Sequence, residues 1–218
     1  TKYTFRRGQD HRLPYDPEAP VSIQVEQSFD SSLKHLKAEL IDSYLLHGPT
    51  SSVGLTPDDR AAWRAMEAIH DSGRVRMIGV SNVTLGQLQC FWQEARIRPS
   101  FVQNRCYAVT GWDRQVREFC AANELVYQGF SLLTANRETL TSSEFSQIAK
   151  RHGRTIPQIA FRFALDVGMI PLTGTTSANH MQADLDAIDF HLDLEEVERI
   201  EQFVAELRYE VLQAEREG

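Results

Sequence analysis

The chain has 218 residues, of which 42% are hydrophobic, and this is enough to bury the core of a single globular domain spanning residues 1–218. Lysine and arginine number 23 against 30 aspartate and glutamate residues, and the net charge of −7 is scattered without a basic stripe, so neither nucleic acid nor an anionic membrane surface is expected as a partner. No apolar run approaches the roughly 18 residues of a membrane-spanning helix, and residues 1–12 are too polar for a signal peptide.

The cysteines are odd in number and show no metal-ligand spacing. Cys90, Cys106 and Cys120 contain no CxxC pair, and the 7 histidines are not spaced as metal ligands. This pattern indicates a cytoplasmic protein in a reducing compartment. It argues against a disulfide framework and against a metal site.

Short apolar segments alternate with longer amphipathic segments along the chain. A loop from Tyr3 to Ala19 precedes a helix that is predicted over Val21 to Leu40. Strands are predicted at residues 41–47, 77–82, 101–107, 125–131 and 169–173. Several of these strands are almost continuously apolar, which is typical of strands covered on both faces.

Three of the helices have recognisable starts. Thr56, followed by a proline and by an acid at the third position, predicts a helix that ends at Ser72-Gly73. Thr84 predicts the cap of a second helix. Asp193 with Glu196 predicts the start of a last helix near the end of the chain.

Strands separated by helices, without consecutive hairpins, predict an α/β fold with a parallel sheet. Two architectures fit this order, a doubly wound open sheet and a (β/α)8 TIM barrel. The open sheet favours a GxGxxG phosphate turn, which this sequence lacks. Barrel enzymes place polar residues at the carboxyl ends of their strands, and here those ends are His47, Ser81-Asn82, Gln103 and Ser131. The barrel is therefore the predicted fold, with roughly six of its eight strands in this chain.

His47 and Lys2 are the first candidate site residues. A neutral imidazole at the end of an apolar strand can donate a hydrogen bond to a carbonyl group, although a half-buried histidine with a backbone partner fits the position equally well. A lysine at the end of the preceding strand would point into the same barrel mouth. There its ammonium group would lower the pKa of a neighbouring phenol or carboxylic acid.

Amide and hydroxyl groups follow the next strands. The carboxamides of Asn82 and Gln103 match the donor and acceptor of another carboxamide, such as that of nicotinamide, and Phe130 beside Ser131 offers a ring for stacking. Loop capping explains the same residues without a ligand. The segment Pro171–Ser177 brings glycine and hydroxyl groups to a helix start, which suits either a phosphate group or ordinary capping.

Together these segments resemble the aldo-keto reductase family over essentially the whole chain. The resemblance lies in IDSYLLHGP at 41–49, RVRMIGVSN at 74–82, VQNRCY at 102–107, YQGFSLL at 127–133 and IPLTGTTSANHMQADL at 170–185, which follow in family order and spacing. It implies a (β/α)8 barrel and an oxidoreductase that reduces a small-molecule aldehyde or ketone with hydride from NADPH.

The resemblance also implies roles for individual residues. His47 matches the active-site histidine, and Lys2 matches the catalytic lysine at the end of the third barrel strand. The positions that match cofactor-binding residues are Ser81, Asn82 and Gln103 for the nicotinamide carboxamide, Phe130 for the stacking ring, Ser131 and Leu133 near the pyrophosphate, and Gly174, Thr175, His180 and Asp184 around the adenosine 2′-phosphate and adenine.

Two departures from the family pattern affect these expectations. The family's catalytic tyrosine and aspartate lie before the lysine, so the chain is expected to be an N-terminally incomplete barrel that is catalytically impaired by itself. Gly174 and His180 stand where many members have a lysine and an arginine, so NADP is the expected cofactor while NAD stays open. The alternatives are a non-catalytic or regulatory nicotinamide-nucleotide-binding protein on the same fold and a phosphate-binding lyase or isomerase barrel.

Overall fold

The computed structural model of the chain describes residues 1–8 and 12–202, and these residues form two compact units. The first unit comprises Thr1–Gln103 with Ala122–Val126. The second comprises Asn104–Ala121 with the described residues from Tyr127 onward. The single domain expected from the sequence stays a prediction, because compactness by itself does not establish which parts of a chain fold independently.

The first unit is built on parallel strands that are joined by helices. These strands are β1 (Lys2–Tyr3), β2 (Ile41–Leu46), β3 (Val75–Ser81) and the first residues of β4 (Phe101–Arg105). Each pairs in parallel with the next in chain order, and Leu46 lies opposite both Tyr3 and Val80. The carboxyl ends of these strands therefore meet at one edge of the sheet.

The helices of the first unit begin where the sequence predicts. They are α1 (Val21–Leu36), α2 (Pro57–Asp71) and α3 (Leu85–Glu94). Thr56 and Thr84 both form capping boxes, in which the threonine side chain accepts from a backbone N–H three residues on. The prediction that α1 continues to Leu40 is wrong, because Lys37 takes a left-handed φ of 51° and its N–H turns back to the last carbonyl groups of the helix.

Aromatic pairs fasten these helices to their neighbours. Phe29 on α1 meets Tyr44 on β2 edge to face, with ring centroids 5.0 Å apart, and both side chains are fully buried. Trp63 on α2 lies 5.2 Å from Phe91 on α3. Such pairs stabilise a fold through the apolar area they bury and through the favourable geometry of their rings. The core of this unit thus lies between the strands and the three helices.

The second unit repeats the alternation of strand and helix. β5 (Val126–Phe130) and β6 (Met169–Leu172) are parallel, with Tyr127 opposite Met169. The helices are α4 (Arg114–Ala122), α5 (Arg137–Leu140), α6 (Ser143–His152), α7 (Ile156–Asp166), α8 (Ala178–Leu185) and α9 over residues 194–202. Asp193 accepts from the Glu196 backbone N–H over 2.8 Å, which confirms the predicted start of α9.

All five strands expected from the apolar runs are present, and only their ends differ. β4 ends at Arg105 rather than at Tyr107, because the Tyr107 carbonyl oxygen accepts from the backbone N–H groups of Thr110 and Trp112 and the chain turns there. β3 begins at Val75, two residues before its predicted start. With β1, the described residues contain six strands, the number that the sequence predicts.

Asp59 connects the loop after β2 to α2, and its replacement is expected to destabilise the first unit. The carboxylate is fully buried and accepts from the backbone N–H groups of Thr50 and Thr56 over 2.8 and 2.7 Å. Because Asp59→Ala leaves two part-buried backbone donors unpaired, we expect a loss of about 2–3 kcal/mol in the free energy of unfolding, measured by urea denaturation. The exposed neighbour Asp58 is the matched control, and an equal loss in Asp58→Ala would contradict this explanation.

Candidate active site

The carboxyl ends of the strands bring several predicted residues together in the first unit. Lys2 lies in β1, His47 directly follows β2, and Ser81 is the last residue of β3. Gln103 lies beside Ser81, because the two residues pair in the parallel register of β3 and β4. Hydrogen bonds join these four residues and Asn82 into one cluster.

The Ser81 hydroxyl group lies at the centre of this cluster. Ser81 is fully buried and donates to the Gln103 carbonyl oxygen over 2.7 Å. It accepts from Lys2 Nζ and from Asn82 Nδ2, each at 3.2 Å. A hydroxyl group has one proton and two lone pairs, so the protein uses its whole hydrogen-bonding capacity. Ser81 therefore holds Lys2 and Asn82 in place relative to β4.

Asn82 presents an open acceptor. Its φ of 52° lies in the left-handed region, which asparagine tolerates better than most residues other than glycine. Its Nδ2 atom donates to the His47 carbonyl oxygen over 2.8 Å and to Ser81. Among residues 1–8 and 12–202, no group donates to its Oδ1 atom, and the residue is exposed. A carboxamide oxygen is thus available to a ligand.

The two titratable groups of the cluster are both shifted away from their charged forms. Partial burial lowers the pKa of the Lys2 ammonium group. Burial, and then the positive charge of Lys2, lower the pKa of His47, so the imidazole is neutral at pH 7. His47 Nδ1 lies 3.0 Å from Thr4 Oγ1. When that hydroxyl group donates to Nδ1, the ring proton is on Nε2 and can be donated to a ligand.

An open cleft of about 270 Å³ lies beside this cluster, and we call it the His47 cleft. Its walls include Phe5, Arg7, His47, Thr50 and Asn82. The volume lies just below the usual range of ligand sites, which is roughly 300–1,000 Å³. The cleft combines a neutral imidazole, a free carboxamide oxygen and an aromatic ring.

In the second unit, three predicted cofactor positions lie at the end of β5 and in the turn after it. Phe130 ends the strand, and its carbonyl oxygen accepts from the Cys106 N–H over 3.1 Å. Ser131 has a left-handed φ of 59°, and its carbonyl oxygen accepts from the Ala135 N–H over 2.9 Å. Leu133 lies half-buried in the same turn. The segment is therefore a tight turn at the carboxyl end of a strand, where barrel enzymes place binding loops.

The segment Pro171–Ser177, which we call the phosphate segment, precedes α8 in the same unit. Thr173 Oγ1 donates to Asp184 over 2.9 Å, and Thr175 Oγ1 accepts from the Ser177 N–H over 3.1 Å. Ser177 caps α8 by accepting from the His180 N–H over 3.4 Å. Gly174 is exposed, and a side chain added there would meet no atom within 4 Å. The loop before α8 thus has free space beside Gly174.

Asn136 is a structural residue of the second unit that the sequence analysis missed. Its buried carboxamide accepts from the Ala108 N–H over 2.6 Å and donates to the carbonyl oxygens of Cys106 and Leu132 over 3.0 and 2.8 Å. It thereby ties the turn after β4 to the turn after β5. A lone asparagine before a short helix resembles an ordinary cap, so the sequence contains no signal of these distant partners.

Within residues 1–8 and 12–202, no three histidine, cysteine, aspartate or glutamate residues are placed to hold a metal ion. None of the helices described there is long and apolar enough to cross a membrane. Cys90, Cys106 and Cys120 are free thiols.

Comparison with known proteins gives a consistent family. The model of the Aldo/keto reductase family matches residues 14–205. This range includes His47, Asn82 and the phosphate segment, and Lys2 precedes it. The (1S)-1,7-diacetoxy-luvungin A aldo-keto reductase of Citrus sinensis is 28% identical over 82% of this chain and 61% of its own length. The glyoxal reductase of Bacillus subtilis (strain 168) is 25% identical over 80% of this chain and 60% of its own.

Solved structures agree with this result. An aldo-keto reductase from a Medee basin deep-sea metagenome library superposes with a TM-score of 0.75 at 27% identity, covering 83% of this chain and 65% of the other. The structural neighbours are (β/α)8 barrels, which confirms the predicted fold class. The chain spans about 60% of the length of the two curated relatives.

Proposed function

The chain belongs to the aldo-keto reductase family, and on that premise we propose that it is part of an NAD(P)H-dependent enzyme that reduces a small aldehyde or ketone to an alcohol. The observation that supports this most strongly is the cluster of Lys2, His47, Ser81, Asn82 and Gln103 at the carboxyl ends of four parallel strands. Active sites of barrel enzymes are built at this end of the strands.

The residues of the cluster fit the carboxamide of nicotinamide. Asn82 Oδ1 is a free acceptor in the wall of the His47 cleft and can accept from the amide N–H of the cofactor. Ser81 has no remaining capacity, so in this arrangement it acts on the cofactor through the position of Asn82. The second unit, taken by itself, offers the ring of Phe130 for stacking and the turn at Ser131 and Leu133 for a pyrophosphate.

The chemistry follows from the states of these groups. Reduced nicotinamide, when bound, would supply a hydride for the carbonyl carbon, and the carbonyl oxygen would need a proton. Neutral His47 would donate a hydrogen bond to that oxygen and fix its orientation. The ammonium group of Lys2, held by Ser81, would lower the pKa of an acid placed against it and so prepare that acid for proton transfer.

We propose NADP as the preferred cofactor, with NAD as a weaker alternative. Hydroxyl groups of Thr175 and Ser177 and the start of α8 would receive the 2′-phosphate near Gly174, while the bond from Thr173 to Asp184 would order the loop. From Pro171 to Asp184 there is no lysine or arginine, and His180 is exposed. The preference for the extra phosphate should therefore rest on hydroxyl and backbone donors rather than on a fixed charge.

Cofactor oxidation in the intact protein tests the function and this preference together. With a panel of short aldehydes, we expect NADPH to be oxidised. We expect kcat/KM for NADPH to exceed that for NADH by less than about tenfold, because residues 171–184 offer the 2′-phosphate no lysine or arginine. If no carbonyl substrate causes oxidation of NADPH or NADH while NADPH still binds, the result would support the non-catalytic alternative instead. A preference above about a hundredfold would contradict the assignment of the phosphate segment.

A further inference from the structure

Among the described residues that line the His47 cleft, one carries a permanent charge. Arg7 contributes to its wall, and no aspartate or glutamate does so in the described part of the chain. The charge of the whole chain is −7, so a cleft whose described wall contains an arginine and no acidic residue departs from the average surface. Such an arrangement favours an anionic ligand over a neutral one.

Arg7 has no partner of its own among the described residues. Its guanidinium group makes no hydrogen bond or ion pair within residues 1–8 and 12–202, and it is exposed. The neighbouring Arg6 differs, because it pairs with Glu18 at 3.6 Å and does not line the His47 cleft. Two adjacent arginines of one short turn thus stand in different electrostatic settings.

The turn that presents Arg7 is well supported by local contacts. The Gly8 N–H donates to the Phe5 carbonyl oxygen over 2.8 Å, closing the turn over Arg6–Gly8. A side chain at Gly8 would meet Thr4 Cγ2 at 2.9 Å, so the turn packs directly on the residue that contacts His47. Phe5 in turn meets Tyr3 of β1 edge to face, with ring centroids 5.0 Å apart. Arg7 is therefore attached to the same strand end as the catalytic cluster.

We propose that the His47 cleft takes a short oxo acid, in which Arg7 binds the carboxylate and His47 holds the carbonyl oxygen at the other end. This proposal rests on the proposed function and specifies its substrate class. Phe5 and Pro49 line the same cleft and offer apolar surface to the carbon chain between the two polar ends. The volume of about 270 Å³ suits a chain of a few carbon atoms.

The reaction of such a substrate is balanced with NAD(P)H as the reductant. The aldehyde carbon gains a hydride, which brings two electrons, and the carbon–oxygen π bond breaks as the oxygen takes up one proton. The products are a hydroxy acid and NAD(P)⁺, and the carboxylate is unchanged. Guanidinium and carboxylate form paired, charge-assisted hydrogen bonds, which are stronger than those between neutral groups.

A pair of substrates that differ in one charge tests the proposal in the intact protein. We expect kcat/KM to be higher for 4-oxobutanoate than for its methyl ester, and Arg7→Gln to lower the acid-to-ester ratio by about 10- to 100-fold, as expected for the loss of a charge-assisted pair. Arg6→Gln is the matched control and should leave the ratio unchanged. Arg7→Lys should restore part of it, because the charge is kept and the paired geometry is lost.

The outcomes separate this proposal from the proposed function. An acid-to-ester ratio that Arg7→Gln leaves unchanged, or that Arg6→Gln lowers equally, would overturn the role of Arg7 while the reductase assignment stands. If neither substrate is reduced, the proposed reductase function is wrong. Calorimetric binding of 4-hydroxybutanoate and its methyl ester then still tests whether the His47 cleft prefers a carboxylate. Tighter binding of the acid that Arg7→Gln abolishes would support the site, and equal binding of acid and ester would overturn it.

Discussion

Replacing His47 with alanine in the intact protein is expected to lower kcat by about 10²- to 10⁴-fold while NADPH binds almost as before. The imidazole lines the cleft and its lowered pKa keeps it neutral, so under the proposed function it would donate a hydrogen bond to the carbonyl oxygen of the substrate. Its carbonyl group, which holds Asn82, belongs to the backbone and survives the substitution. Steady-state kinetics and fluorescence titration with NADPH measure the two effects separately.

His35→Ala is the matched control for this substitution. His35 is exposed on α1, and its ring is 3.3 Å from Ser31 of the same helix. We expect this variant to keep the parent kcat. Equal activity of the His47 and His35 variants would remove His47 from the mechanism and leave Lys2 and Asn82 as the remaining candidates.

The neutral state of His47 can be checked by titration of its ring resonances. Burial and the Lys2 charge both disfavour the imidazolium ion, so we expect a pKa below the ordinary value of 6.5. Removing the charge in Lys2→Met should raise this pKa, since only the effect of burial then remains. A pKa above 6.5 in the parent protein would contradict the hydrogen-bond-donor role assigned to the neutral ring.

Gly79→Ala is expected to destabilise the first unit by about 3 kcal/mol or more. Gly79 lies in the middle of β3, opposite Leu45 and Phe101 on its two neighbouring strands. A methyl group there would lie 2.7 Å from the Phe101 carbonyl oxygen and would also overlap the Phe101 ring. The ring can rotate, but the carbonyl belongs to the backbone of β4, so relief requires the strands to separate. Urea denaturation measures the loss.

Gly86→Ala is the matched control, in which the same added methyl group is expected to stabilise the protein. Gly86 is exposed in the first turn of α3, and an added methyl group meets no atom within 4 Å. Alanine favours the helix and restricts the unfolded chain, so we expect a gain of about 0.5 kcal/mol. A similar loss in both variants would mean that Gly79 is required for backbone freedom rather than for the close approach of β3 and β4.

Much of the architecture could be predicted because its causes are local. An apolar run such as that of β2 predicts a buried strand wherever it folds. The caps at Thr56 and Thr84 act on backbone groups three residues away, so the sequence contains both partners. The end of α1 was missed, because the left-handed turn at Lys37 occurs without the glycine that usually marks it.

Contacts between distant residues could not be predicted in the same way. Ser81 resembles a residue that touches a ligand, yet its hydroxyl group is fully engaged by Lys2, Asn82 and the Gln103 carbonyl oxygen. Arg7 is one of two adjacent arginines, and the sequence contains no indication that Arg6 has a partner while Arg7 lines the cleft. Each difference arises from residues that are far apart in the chain.

The sequence by itself determined the alternation of strands and helices, the barrel class and the residues at the strand ends, because periodicity, capping and strand polarity depend on neighbours along the chain. The tertiary structure decided which of those strand-end groups remain free to meet a ligand. Asn82 keeps one acceptor and Ser81 keeps none, because the parallel register places Ser81 directly beside Gln103 and Lys2 Nζ also donates to its hydroxyl group. A hydrogen-bonding group has a limited number of partners, and only folding selects them.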